Sequence, residues 1–245
     1  KPLSIQLTGD KNKITTGVLY DGGKIYHQPT YVTVKDGIYS ATIHSFETGI
    51  FGLIWNEKTF EDTKGHWGQQ TAENQGGRLV AKGSSVTMFK PDEAISRGEF
   101  VTLLVRAFGF VPKQGEVSFE DVASDAYYAE SVKTAVSLGL IKGYSAERFM
   151  PNKTITREEA MVILGRALTL APIQSALSEA GITQLLGGFK DSNQVSTWAT
   201  QEVRKNLGSG IVIGRQEVLS PKADILRMEA LTMIERLLRK SGLIN

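Results

Sequence analysis

The sequence of 245 residues has no cysteine, which excludes disulfides and thiolate metal sites. That absence leaves the compartment open, because many bacterial surface proteins also avoid cysteine. Histidine is scarce as well: His27, His44 and His66 are too dispersed for a metal-binding pattern. The formal net charge is only +2, so there is no basic excess of the kind that neutralises many phosphates, and nucleic acid is not an expected partner. No apolar run approaches the length of a membrane span, so membrane insertion is not expected either. The chain opens with Lys-Pro-Leu-Ser instead of a Met, a charged leader and an apolar core, and is read as a mature fragment of something longer. Neither a Gly-x-Ser-x-Gly elbow nor a phosphate-binding Gly loop occurs. The acidic residues are expected on solvated helix faces and at caps, so no catalytic residue and no cofactor are predicted.

With 41% apolar residues the chain has material for a substantial core, and its length suggests two domains. Residues 1–56 are rich in Thr, Val, Ile and Tyr. Turn signals at Asp21-Gly22-Gly23 and Asp36-Gly37 separate alternating runs such as Tyr31-Val-Thr-Val34 and Ile38-Tyr-Ser-Ala-Thr-Ile43. This is a small β unit, resembling the closing strands of a sandwich and expected to be the end of a preceding domain. From Phe60 onward, helix-length amphipathic stretches take over, as in Glu99-Phe-Val-Thr-Leu-Leu-Val-Arg-Ala-Phe108. A boundary falls near residues 56–60, and the fold class expected is mainly α.

Self-similarity organises the remainder. Three copies each open with Phe-x-Asp, at Phe60-Glu-Asp62, Phe119-Glu-Asp121 and Phe189-Lys-Asp191. Each closes with Ile-x-Arg-x-Glu, at Ile95–Glu99, Ile155–Glu159 and Ile225–Glu229. The Asp-to-Arg separations are 35, 36 and 36 residues, a regularity that chance does not give three times. The copies span 57–115, 116–172 and 189–245, with a linker at 173–188 that contains a short helix-like stretch.

In the middle copy, Thr156 and Glu159 have capping-box spacing, and Ser96 with Glu99 repeat it in the first. Arg97, Arg157 and Arg227 then fall in the first turn of a helix, where the macrodipole disfavours a cation by about 0.3–1 kcal/mol. A guanidinium fork beside exposed N-terminal N–H groups suits a carboxylate or phosphate. The alternative is a surface pair with an acidic neighbour such as Glu158. In the third copy Leu226 cannot cap, yet Arg227 and Glu229 persist, which points to a role for the Arg beyond helix initiation.

Taken together, Phe-x-Asp, His66-Trp67, Gly139-Leu-Ile-Lys-Gly143-Tyr144, Phe149-Met-Pro-Asn152 and Ile155-Thr-Arg-Glu-Glu159 resemble the S-layer homology (SLH) family. The likeness covers residues 60–243. It implies three SLH repeats forming a pseudo-threefold helical spindle, preceded by the β unit. It also implies non-covalent anchoring of a secreted or S-layer protein to the bacterial cell wall. The implied partner is a secondary cell wall polysaccharide bearing an acidic, pyruvylated sugar such as N-acetylmannosamine. On this resemblance Arg97, Arg157 and Arg227 contact the acidic sugar. Gly83, Gly143 and Gly214 match positions where backbone approaches ligand or adopts positive φ, although they equally suit helix C-termini. Trp67 and Trp198, with Tyr127 or Tyr128, are candidates for stacking on a sugar face or for core anchors. Asp62, Asp121 and Asp191 are turn or cap residues first and acceptors for sugar hydroxyls second.

Two departures weaken individual copies. Gly76-Gly77 interrupts the first helix of copy one, which is expected to be short or distorted, and Gly214-Arg215 replaces the Gly-Tyr pair in copy three. Two other functions remain open at the level of sequence: a structural module for surface-lattice assembly, with self-association through regions outside this fragment, and the anchor fragment of a polysaccharide hydrolase.

Overall fold

A computed structural model describes residues 3–7, 15–36, 38–112 and 119–245. Among the described residues the β unit holds six strands, β1 (Leu3–Leu7), β2 (Thr16–Asp21), β3 (Lys24–Gln28), β4 (Thr30–Lys35), β5 (Ile38–Ile43) and β6 (Ile50–Ile54). They form two antiparallel three-stranded sheets, ordered β1-β5-β4 and β3-β2-β6. The predicted turn after Asp21 is a two-residue hairpin loop whose Gly22 and Gly23 both have positive φ, the conformation that matches the twist of the flanking strands. Of the second turn signal, Asp36 has a φ of 51° and Gly37 lies outside the described residues. The two sheets meet closely at Gly17, where a Cβ would come within 2.7 Å of Thr30 Oγ1 and 2.8 Å of Ile43. The expected runs at 31–34 and 38–43 fall within β4 and β5.

Among the described residues seven α-helices follow: α1 (Gln69–Gly77), α2 (Arg97–Ala107), α3 (Ala129–Ser137), α4 (Arg157–Ala167), α5 (Glu179–Gly187), α6 (Thr200–Gly208) and α7 (Arg227–Lys240). The described chain is therefore a mixed α and β protein, with the strands gathered at its amino-terminal end. Helices of different copies pack on one another: α2 on α3, α4 on α6, and α7 back on α1. At the centre the fully buried Ile95, Ile155 and Ile225 close a backbone ring. Ile155 N donates to Ile95 O (3.1 Å), Ile225 N to Ile155 O (3.0 Å) and Ile95 N to Ile225 O (3.0 Å). Each ring residue precedes the helix that carries its copy's Arg, so the three helix starts are fixed against one another by main-chain bonds.

Helix α1 is not shortened by its glycine pair: it has nine residues, as do α3 and α6. The glycines instead accommodate the connection from the β unit, because a Cβ on Gly77 would meet Asn56 O at 2.7 Å and one on Gly76 would meet Lys58 Cγ at 2.8 Å. The β unit is tied to the helices further by Asn56 Nδ2 donating to Gly77 O (2.8 Å), Gln28 Nε2 to Gly109 O (2.8 Å) and a stacked Phe46–Phe110 pair. Between copies two and three, α5 is capped by Ser178 and packs on α6 through the buried Ile182. The helix-like stretch expected there is thus a packed helix.

Candidate functional site

Each repeated Arg bridges two copies, in cyclic order. Arg97 Nε donates to Phe149 O (3.0 Å), Arg157 Nε to Leu219 O (3.0 Å) and Arg227 Nε to Phe89 O (2.9 Å). Each also faces the carboxylate at the third helical position of the same neighbouring copy. Arg97 Nη1 lies 3.7 Å from Glu159, Arg157 Nη1 lies 3.1 Å from Glu229, and Arg227 Nη1 pairs with Glu99. Glu158, named above as a pairing candidate, is instead buried under Ser196 and Lys222. All three arginines are buried, and burial lowers their guanidinium pKa from its usual value; for Arg97 the neighbouring Glu159 opposes that shift, and for Arg157 Glu229 does so.

The helix starts follow the sequence, with one correction. Thr156 and Glu159 form the full capping box: the Thr156 hydroxyl accepts from Glu159 N, and the Glu159 carboxylate accepts from Thr156 N at 2.9 Å. Ser96 caps α2 by accepting from Glu99 N, while the Glu99 carboxylate turns to Arg227. Leu226 supplies no side-chain cap, and Glu229 Oε2 accepts from Leu226 N at 3.1 Å. The exposed first-turn N–H groups expected beside the arginines are not free. Arg97 N and Gly98 N donate to Lys153 O and Pro151 O, Arg157 N and Glu158 N to Ala223 O and Pro221 O, and Arg227 N and Met228 N to Glu93 O and Pro91 O. The inter-copy ring consumes these donors, so any anion here meets guanidinium groups and not a bare helix terminus.

The aspartates act one step behind the arginines. Both oxygens of Asp121 accept from the backbone, Phe149 N (2.8 Å) and Met150 N (2.8 Å), and Phe149 O is the carbonyl that holds Arg97. Asp62 does the same for Phe89 and Lys90 (2.8 and 2.6 Å), and Asp191 for Leu219 and Ser220 (2.8 and 2.7 Å). Lys90, Met150 and Ser220 all have positive φ, between 54° and 62°, a conformation that costs a non-glycine residue about 1–2 kcal/mol and that the carboxylate holds in place. The aspartates were expected first as local turn or cap residues; their side chains instead hold a loop 27–29 residues further along the chain.

Two grooves gather the other candidates. One, of about 410 Å³, is lined by Arg97 of copy one, Lys142-Gly143-Tyr144, Glu159 and Arg166 of copy two, and Trp198 of copy three. The other, of about 490 Å³, is lined by Arg157 of copy two, Gly214-Arg215, Glu229 and Arg236 of copy three, and Trp67 of copy one. Each holds three cations against one carboxylate, so part of the positive charge of a nearly neutral chain is concentrated there. Trp67 and Trp198 are 56% and 59% exposed and belong to the groove walls, whereas Tyr128 is a core residue and Tyr127 is exposed. Arg215, the departure in copy three, lies 5.4 Å from the Trp67 ring and 3.3 Å from Glu229. Gly83, Gly143 and Gly214 have neither positive φ nor a helix C-terminal position. Their hydrogen is required sterically, since a Cβ would fall 2.3 Å from Ser85 O, 2.1 Å from Ser145 O and 2.0 Å from the Phe189 ring respectively. The aspartates line neither groove. Arg106, Arg166 and Arg236 were missed in the sequence, although each follows its repeated Arg by nine residues.

Residues 118–161 match the S-layer homology domain. The match covers the Phe-x-Asp, Gly143 loop and capping-box Arg of the middle copy. The chain is 31% identical over 225 residues to an amylopullulanase of Thermoanaerobacterium thermosulfurigenes, covering 89% of this chain and 12% of that enzyme. It is 32% identical over 161 residues to a surface-layer 125 kDa protein of Lysinibacillus sphaericus, covering 64% of this chain and 13% of that protein. It is 25% identical over 175 residues to a cellulosome-anchoring protein of Acetivibrio thermocellus, covering 66% of this chain and 36% of that protein. The chain thus spans between about an eighth and a third of these relatives, and the enzyme's activity does not transfer with so small a share. The S-layer homology match and the surface-layer relatives place the protein at the bacterial cell wall and support a role in cell-surface anchoring. Among the described residues no helix is long and apolar enough to cross a membrane.

Proposed function

We propose that residues 57–245 form three S-layer homology repeats in a pseudo-threefold spindle and retain the protein at the cell wall without catalysis. They do so by binding an acidic, pyruvylated sugar of a secondary cell wall polysaccharide in the grooves between repeats. The observation that carries this reading is the groove itself: a buried Arg whose position is set by a neighbouring copy's carbonyl, two further cations, and an exposed indole. A carboxylate-bearing sugar satisfies the cations while its apolar ring face lies on the Trp. The Arg97 groove is more open to an anion than the Arg157 groove, because Glu159 stands 3.7 Å from Arg97 whereas Glu229 stands 3.1 Å from Arg157. Arg227 is the least open, being paired with Glu99. Weak individual sites suffice, since linked sites on one polymer raise avidity by about 10²–10⁴.

The test is co-sedimentation with purified walls, intact or stripped of their acidic polymer, using the parent chain and a Trp67→Ala/Trp198→Ala double variant. Both indoles are exposed, so their loss leaves the core intact. Binding to intact walls only, weakened about tenfold or more by the double variant, is the expected result. Equal binding by parent and double variant, or retention on stripped walls, would favour lattice assembly through protein contacts.

A further inference from the structure

A further cavity lies where copies one and two meet the β unit, and Arg227 is not among the residues that line it. Where the first groove has Lys142, Arg166 and Trp198, the residues at the matching positions of copies one and two are Lys82, Arg106 and Tyr127. These three line a cavity of about 580 Å³ whose opposite wall is the β2–β3 hairpin, with Lys24, Tyr26 and His27. The hairpin wall is fixed in place: Gln28 Nε2 donates to Gly109 O, and Gly109 has a φ of 75° with no room for a Cβ, which would meet His27 O at 2.8 Å.

We propose that this cavity is a composite subsite for a carboxylate-bearing sugar, in which the β unit supplies one wall and a cation beside Lys82 and Arg106 of copy one. The proposal rests on the polysaccharide reading above and assigns part of that recognition to residues 1–56. Among the described residues Lys24, Lys82 and Arg106 form no ion pair. The single acid on the cavity wall is Glu130. The Lys82 ammonium is pushed down from its ordinary pKa first by the Arg106 charge and then by burial, and Arg106 itself is pushed down by burial. Three cations against one acid leave a surplus of positive charge in the cavity, and an entering anion interacts with it. Tyr26 and Tyr127 both line the cavity, and aromatic side chains beside cations suit a sugar ring better than a bare inorganic ion.

Amide chemical-shift mapping of the full chain, titrated with pyruvylated N-acetylmannosamine and separately with inorganic phosphate, tests the assignment. Saturable shifts at Gly23–His27 and Tyr127–Ser131 with the sugar are expected, with affinity at that site lowered about tenfold by Lys82→Met and also lowered by Lys24→Ala, while the Arg97 and Arg157 grooves respond as in the parent. A silent hairpin with responding Arg97 and Arg157 grooves overturns this inference and leaves the anchoring reading standing. Equal hairpin shifts with phosphate overturn the sugar assignment. Silence everywhere with the sugar overturns both.

Discussion

Replacing Asp121 by Asn tests whether the loop aspartates position the groove arginines. Asp121 is partly buried and accepts two backbone N–H bonds of 2.8 Å from Phe149 and Met150. Hydrogen bonds to a charged group contribute about 1.5–3 kcal/mol each, and neutral ones about 0.5–1.5. Asn keeps one carbonyl acceptor and turns an NH₂ toward the second donor, so the variant is expected to lose about 1–3 kcal/mol, and Asp121→Ala more. Met150 has a φ of 59°, so a released loop relaxes toward an ordinary conformation and moves Phe149 O away from Arg97 Nε. Two readouts follow: the urea midpoint, and the affinity of the Arg97 groove for the pyruvylated sugar. Asp121→Asn should lower both although Asp121 lines no groove. The exposed Asp125→Asn serves as control. A loss below about 0.5 kcal/mol, or an unchanged Arg97 groove in a destabilised protein, refutes the relay from Asp to loop carbonyl to Arg.

Acid should destabilise the junction between the β unit and the helices through His27, which is buried and whose pKa is pushed down from 6.5 to about 3, first by burial and then by the Arg78 charge. Below about pH 6.5 the unfolded chain takes up a proton that the folded chain refuses, so stability falls as pH drops from 6.5 toward 3, by up to about 3 kcal/mol at pH 4.5. A His27→Gln variant should flatten that part of the stability curve, and an unchanged acid slope in denaturant titrations at successive pH values would refute the assignment. Gly143→Ala forces a Cβ within 2.1 Å of Ser145 O and 2.6 Å of the Phe119 ring, and is expected to cost at least about 1–3 kcal/mol. Gly139→Ala, with φ at 69° and nothing within 4 Å, should cost only about 1 kcal/mol; a thermal-melt comparison showing the reverse order would contradict the steric account of Gly143.

The local features were legible because local spacing encodes them. The capping box at Thr156 and Glu159, the failed cap at Leu226 and the Gly22-Gly23 hairpin all appear where short-range chemistry puts them. The fate of the first-turn donors was not legible. Arg97 N and Gly98 N are satisfied by carbonyls more than fifty residues away, and no period in the sequence reports a ring closed by Ile95, Ile155 and Ile225. The same long-range closure decides which Glu each Arg meets: Glu159, Glu229 and Glu99 belong to the neighbouring copy in each case. Gly76-Gly77 misled for the opposite reason. Helix propensity treats them as a defect, whereas the close passage of Asn56 and Lys58 makes a smaller residue necessary there. Arg106, Arg166 and Arg236 carried a detectable signal, a fixed nine-residue offset, but without the fold that offset does not distinguish a groove wall from a solvated helix face.

The central claim is that an acidic sugar binds between the copies. Calorimetric titration of the intact chain with pyruvylated N-acetylmannosamine, beside the same sugar without pyruvate and beside an Arg157→Ala variant, tests it most directly. Saturable binding of the pyruvylated sugar alone, with at least one site lost in the variant, is the result this account predicts. No heat with the acidic sugar from a chain shown to be folded, or equal binding of both sugars, would contradict it.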